Sequence, residues 1–192
     1  MTSDTYPSIK HDEKFIGHLV GLKVLIKDTK IASKIYMDGF YGKPFGIKKP
    51  ERREYNEVLE LSLVEALYLV EKGKLSVLNS EGKEMSFDEL LNEAYNRIKS
   101  FKSLYIIYRD LREKGYVVRS GLKFGSDYSL YRHGPGIEHA PYLIHVYEGD
   151  EIIDPIELVR MGRLSHSVKK KFMLGIVRNG IPNYILFKWY KP

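Results

Sequence analysis

The sequence predicts an α/β (α+β) protein in two parts. A small N-terminal α/β domain covers residues 1–90, and a C-terminal domain over 91–192 carries a mixed β-sheet flanked by helices. Three observations support this. Capped stretches with apolar residues at helical spacing concentrate before Gly115. After Gly115 the pattern becomes short β-branched and aromatic runs punctuated by glycine and proline. The 192 residues exceed the commonest domain size of roughly 100–150, and 43% are hydrophobic, enough for a packed core.

Residues 17–27 read as a strand or a strand pair, and the glycine- and proline-rich stretch from Gly39 to Pro50 reads as a loop. The interval between them receives no assignment. Leu59 to Leu61 is extended. Ser62 can cap a helix over 63–73, where Leu63, Ala66, Leu67 and Val70 fall at helical spacing and Gly73 stops it. Lys74 to Leu78 is a short strand. Ser86 with Glu89 forms a capping-box signal before a helix over Phe87–Arg97. A further helix runs from about Lys102 to Lys114, with Gly115 placed to end it. Strands are then expected at Tyr116–Arg119, Gly125–Arg132, Tyr142–Tyr147, Lys171–Val177 and Tyr184–Tyr190. Pro155, capped by Asp154, begins a helix to about Leu164. Asn179-Gly180 signals a hairpin turn between the last two strands.

The formal net charge of +6 favours an anionic partner, and nucleic acid is the commonest one. The 15 tyrosines among basic residues suit stacking on unpaired bases, although most tyrosines simply pack. No cysteine is present, which removes disulfides and thiolate metal sites and suits either a cytoplasmic chain or a hot environment where thiols oxidise. Apolar runs fall far short of the ~20 residues that cross a bilayer, so no membrane partner is expected. Met1 to Glu13 is polar, and no signal peptide is expected there.

Candidate catalytic residues cluster in the second half. Tyr131 ends an alternating run in which it shares a polar face with Asp127 and Ser129, next to the Gly134-Pro135-Gly136 loop. His139 lies in that loop region, where functional residues concentrate. His145 falls in a strand and is better suited to packing, whereas His133 and His166 can line the same cleft. Lys169, Lys170 and Lys171 are equivalent by residue type. A phenol, an imidazole and an ammonium together can cleave RNA without a metal. The 2′-hydroxyl attacks its own phosphate, which requires a base, an acid for the departing 5′-oxygen, and positive charge on the phosphorane. Asp127, Glu138 and Glu148 can be imagined around a metal, but their spacing does not require one. No His-Glu-x-x-His, phosphate-binding glycine loop or Gly-x-Ser-x-Gly is present.

The blocks from Gly115 to Tyr131, from His139 to Val146 and from Arg160 to Lys171 resemble the archaeal tRNA-splicing endonuclease family in motif order and spacing. The N-terminal half resembles the family's smaller domain more weakly. The resemblance implies a restriction-endonuclease-like catalytic domain, precursor tRNA as substrate and a triad at Tyr131, His139 and Lys170. It selects Lys170 from its neighbours and His139 over His145. By analogy Tyr131 is the base, His139 the acid and Lys170 the charge stabiliser, with no metal or cofactor. The products implied are a 2′,3′-cyclic phosphate and a 5′-hydroxyl. Arg163 matches a position that clamps flipped bulge bases in a bulge–helix–bulge RNA. Trp189 is a looser candidate for the same task, and Lys169 and Lys171 are candidate RNA contacts.

One stretch departs from the family pattern. Self-assembling members carry an acidic turn between the last two strands, but Val177 to Pro182 holds no acid and one arginine. A basic turn is not attracted to a basic cleft. The departure predicts the catalytic subunit of a two-chain enzyme, a heterotetramer in which a separate structural subunit supplies the acidic turn and copies of this chain join through strand 184–190. The rival expectation is a non-catalytic RNA-binding or structural subunit of the same complex, for which a complete triad is unnecessary. A metal-dependent nuclease is a third.

Overall fold

The computed structural model describes residues 14–51 and 53–188, so Trp189 and the end of the expected tail strand lie outside the described residues. The chain divides into two compact units at Lys99–Ser100. Residue 90, where the sequence suggested a division, lies inside a helix of the first unit.

The first unit opens with strands β1 (Phe15–Val20) and β2 (Lys23–Ile26), the antiparallel pair expected from residues 17–27. Helix α1 (Thr29–Gly39) follows, in the stretch left unassigned by sequence. Its signals are nonetheless present. Asp28 accepts the N–H groups of Lys30 and Ile31, and Ala32, Ile35 and Tyr36 bury one face. The helix ends at Gly39, where the expected loop begins, and the left-handed residue that closes it is Phe40 (φ 55°) rather than the glycine. A two-residue strand β3 (Lys43–Pro44) sits in the expected loop, before β4 (Leu59–Ser62). Helix α2 (Leu63–Glu71) begins at a complete capping box between Ser62 and Glu65. Glu65 is buried and also accepts the Gly42 N–H at 2.9 Å. Strand β5 (Leu75–Leu78), the short β6 (Glu84–Met85) and the capped helix α3 (Phe87–Arg97) complete the unit. Its sheet has the order β3-β4-β2-β1-β5-β6, with β1 and β5 parallel.

The second unit begins with α4 (Phe101–Glu113) and strand β7 (Val117–Ser120). A 3₁₀ turn over Leu122–Phe124 precedes β8 (Tyr128–Tyr131), so the strand expected from Gly125 begins only at Tyr128. Then follow β9 (Tyr142–Glu148), α5 (Pro155–Ser167), β10 (Lys171–Arg178) and β11 (Ile181–Phe187). The sheet order is β11-β10-β9-β8-β7. All neighbours are antiparallel except β9 and β10, whose parallel pairing is made possible by the α5 crossover. Both sheets are therefore mixed and the class is α+β. Asn179 (φ 50°) and Gly180 (φ 76°) form the two-residue turn between β10 and β11, the geometry for which Asn-Gly is favoured.

Each face of the second sheet carries a helix. Tyr128 donates its hydroxyl to the Leu104 carbonyl of α4 at 3.0 Å, and Tyr184 donates to Asp110 of α4 at 2.5 Å. Gly175 lets α4 approach closely, since a Cβ there would meet Ile107 Cδ1 at 3.0 Å. On the opposite face Tyr147 reaches Met161 of α5. Strand alternation then places Leu130 with Tyr128 on the α4 face, and Ser129 and Tyr131 on the α5 face.

Candidate active site

Strand register gathers the candidate residues. Leu130 of β8 pairs with Tyr142 of β9, and Tyr142 pairs with Lys171 of β10. Since β8 is antiparallel to β9 and β9 is parallel to β10, Tyr131 leaves its strand at the end of the sheet where Pro141 and Lys170 enter theirs. His139 stands just ahead, next to Ala140. Tyr131, His139 and Lys170 thus lie at the same end of three adjacent strands. Tyr131 is half-buried and His139 is exposed.

Lys170 is held from two sides. Its Nζ donates to the Ala140 carbonyl at 2.7 Å and lies 4.9 Å from the centre of the Phe124 ring. That bond ties Lys170 to the residue following His139. Lys123 Nζ sits over the same ring at 4.7 Å. Burial, and then repulsion from Lys123, hold the Lys170 pKa below the usual lysine value. The neighbouring lysines behave differently. Lys169 is exposed and adopts a left-handed backbone (φ 54°), with its N–H on the His166 carbonyl at 3.0 Å. This reverses the chain between α5 and β10 and turns Lys170 toward Ala140. Lys171 places its ammonium 5.5 Å from the Tyr142 ring centre. Of the three lysines, Lys170 is the one whose ammonium is docked beside the His139 loop.

A cleft between α5 and β10 opens from Lys170, lined by Arg163, Ser165, His166, Phe172 and Phe187 among others. Arg163 is exposed on its wall, so it faces the same space as Lys170. His166 also lines this cleft. His145 is half-buried with its ring 5.6 Å from that of Phe172, and burial lowers its pKa against the pull of Asp127. His133 is exposed beside the loop, His18 belongs to the first unit, and His11 lies outside the described residues.

The three carboxylates considered around a metal are spent separately. Asp127 accepts the Val146 N–H at 2.8 Å, and Glu148 accepts the Ser103 hydroxyl at 3.2 Å. Glu138 accepts backbone N–H groups from Arg132 and His133. Among the described residues no group of three or more His, Asp or Glu is placed to hold a metal ion. Sequence reasoning missed Phe124 and Lys123. Both stand just ahead of the expected Gly125–Arg132 strand, in a 3₁₀ turn over Leu122–Phe124 that the sequence did not signal.

Comparison with known proteins decides the family. The pattern described as tRNA intron endonuclease, catalytic C-terminal domain, matches residues 101–184, and the N-terminal domain of the same family matches residues 15–91. This chain belongs to the tRNA intron endonuclease family. Proteins named tRNA-splicing endonuclease share 51% identity over 91% of this chain in Hyperthermus butylicus and 50% over 92% in Sulfurisphaera tokodaii. In Saccharolobus solfataricus the identity is 45% over 90% of this chain. The alignments cover 97%, 99% and 97% of those proteins respectively. The family's catalytic domain therefore occupies the unit that holds the candidate residues, and the family relation extends through the N-terminal unit, where sequence reading found only a weak likeness.

Proposed function

We propose that this chain excises introns from precursor tRNA, the activity named for its relatives, by a metal-independent attack of the 2′-hydroxyl. The observation that carries the reading is the register that puts Tyr131, His139 and Lys170 at one sheet end, with the Lys170 ammonium bound to the carbonyl of Ala140, the residue after His139. Tyr131 takes the 2′-hydroxyl proton as the O2′–P bond forms. His139 gives a proton to O5′ as the P–O5′ bond breaks. Lys170 compensates the negative charge of the phosphorane. The products are a 2′,3′-cyclic phosphate and a 5′-hydroxyl.

Substrate binding falls to the cleft beside Lys170. Arg163 on its wall is the proposed contact for a displaced bulge base, where a guanidinium can stack and carry charge together. Lys169 and Lys171 add phosphate contacts on the same margin, and Trp189 beyond the described residues is the proposed second jaw.

The assembly is proposed as a heterotetramer with a separate structural subunit. The β10–β11 turn holds no acid, and its Arg178 donates to the Gly149 carbonyl of its own chain at 3.2 Å. That contact supports a turn engaged within its chain rather than in a neighbour's basic cleft. Self-association is assigned to the outer edge of β11, where Ile185 and Leu186 are exposed.

The test is a bulge–helix–bulge RNA incubated with the assembled enzyme in excess chelator, with end analysis of the fragments. Undiminished cleavage leaving cyclic phosphate and 5′-hydroxyl ends is expected. Loss of cleavage restored by a divalent ion, or 5′-phosphate ends, would reject the mechanism.

A further inference from the structure

The loop that carries His139 is fastened at both of its neighbours. On one side, the Ala140 carbonyl accepts from Lys170 at 2.7 Å. On the other, the Glu138 carboxylate collects the N–H of Arg132 and the N–H of His133, the latter at 2.6 Å. Those two residues directly follow Tyr131 at the exit of β8. The Glu138 N–H also returns to the Gly134 carbonyl at 3.2 Å, and Pro135 and Glu138 form a β-bridge. Residues 132–138 therefore close into a ring whose fastener is the Glu138 side chain. A charged acceptor for two backbone donors is stronger than a neutral one. Burial alone would raise the Glu138 pKa, but the N–H groups of His133, Arg132 and Gly134 outweigh it and hold the carboxyl below its usual value.

Tyr131 belongs to a strand paired on both sides, by β7 and β9. The fixed partner in the ring is thus the β8 exit, and the segment held against it is Glu138–His139. We propose that Glu138 is a positioning residue of the cleavage site. Its carboxylate sets the reach of the His139 imidazole relative to the Tyr131 hydroxyl by binding the backbone that leaves Tyr131. Without it the β8 exit and Glu138–His139 lose their side-chain link, and His139 samples positions out of reach of the departing oxygen. Misplacement by about 1 Å can cost on the order of 10²-fold in rate.

The inference rests on the proposed role of His139, and the test separates the two. Glu138→Ala, Glu138→Gln, His139→Ala and the Glu138→Ala/His139→Ala double variant are compared as assembled enzyme. Single-turnover cleavage, RNA affinity and melting temperature are measured for each. Glu138→Ala is expected to lose about 10–100-fold in cleavage rate with RNA affinity and melting temperature close to the parent. Glu138→Gln keeps an acceptor oxygen and should recover most of that loss. In the His139→Ala background, Glu138→Ala should cost less than about twofold more, since no imidazole is left there to position. A full additional loss in that background, or parental cleavage by Glu138→Ala, overturns the proposal. The acid role is read separately with RNA carrying sulfur at the scissile 5′ position, a leaving group that needs no proton. Rescue of His139→Ala supports that role, and failure of rescue removes it without touching the double-variant result.

Discussion

At the scale of single residues, the three lysines show what sequence alone leaves open. Lys169, Lys170 and Lys171 have the same chemistry and adjacent positions, so only resemblance could choose among them. The structure separates them physically. A left-handed Lys169 turns the chain, Lys170 docks on Ala140 and Phe124, and Lys171 turns to Tyr142. Replacing Tyr131 by Phe, His139 by Ala or Lys170 by Ala is expected to lower single-turnover cleavage by about 10²–10⁴-fold. RNA affinity, read by filter binding, should stay within a few-fold, and a parental rate in any of the three would remove that residue from the triad. A pH effect follows from Lys123. Lys170 is charged below its pKa, which burial and Lys123 lower from the usual 10.5. Lys170-dependent cleavage is therefore fully present below that lowered pKa and is lost as pH rises through it. Lys123→Ala removes the second of the two causes and should shift the alkaline limb of kcat to higher pH. Rate–pH profiles corrected for uncatalysed RNA breakdown check this, and an unmoved limb would separate Lys170 from that limb.

At the scale of elements, legibility followed the strength of local signals. The helices begun by Ser62 and Ser86 were readable because each capping box is spelled in four residues and both boxes form. The Asn-Gly hairpin was readable for the same reason. Helix α1 was not read although Asp28 caps it and Gly39 is its last residue, and its left-handed closing residue, Phe40, is one that composition does not mark. The start of β8 was misplaced because Gly125 closes a 3₁₀ turn with its own left-handed residue (φ 64°), which alternation cannot anticipate. That error hid Phe124, whose place against Lys170 depends on the turn. One element-level contact is sharp enough to test. Gly175 on β10 admits α4, with Ile107 atoms 3.0 and 3.3 Å from any Cβ built there. Gly175→Val should destabilise the second unit by about 1–3 kcal/mol through overpacking. Thermal unfolding measures it, and the same chain with Ile107→Ala added should recover part of the loss. A Gly175→Val melting point equal to the parent's would mean that α4 and β10 have room to separate.

At the scale of the whole molecule, the question is what completes the enzyme. The net charge of +6 accounts for attraction to RNA but not for assembly. The proposed assembly turns on two places at the margin of the second sheet. The outer edge of β11 has no strand partner among the described residues, and Ile185 (48% exposed) and Leu186 (37% exposed) point to opposite faces there. An edge of this kind is a template for pairing with a second chain. The β10–β11 turn is the other place. It presents no carboxylate, and Arg178 is bound to Gly149 within the chain. The first place supplies a route to a dimer and the second withholds a route beyond it. The purified chain should therefore have the mass of a dimer by light scattering, and Leu186→Asp should shift it toward the 22.3 kDa monomer. Cleavage of bulge–helix–bulge RNA by that dimer alone should be at least about tenfold below that of the complex with a chain bearing an acidic turn, a difference of about 1.4 kcal/mol. Full cleavage by the purified chain would refute the two-chain assembly. It would also mean that self-assembly uses a surface other than the turn, and the acidic Glu148–Glu151 turn beside Arg178 would be the first place to substitute.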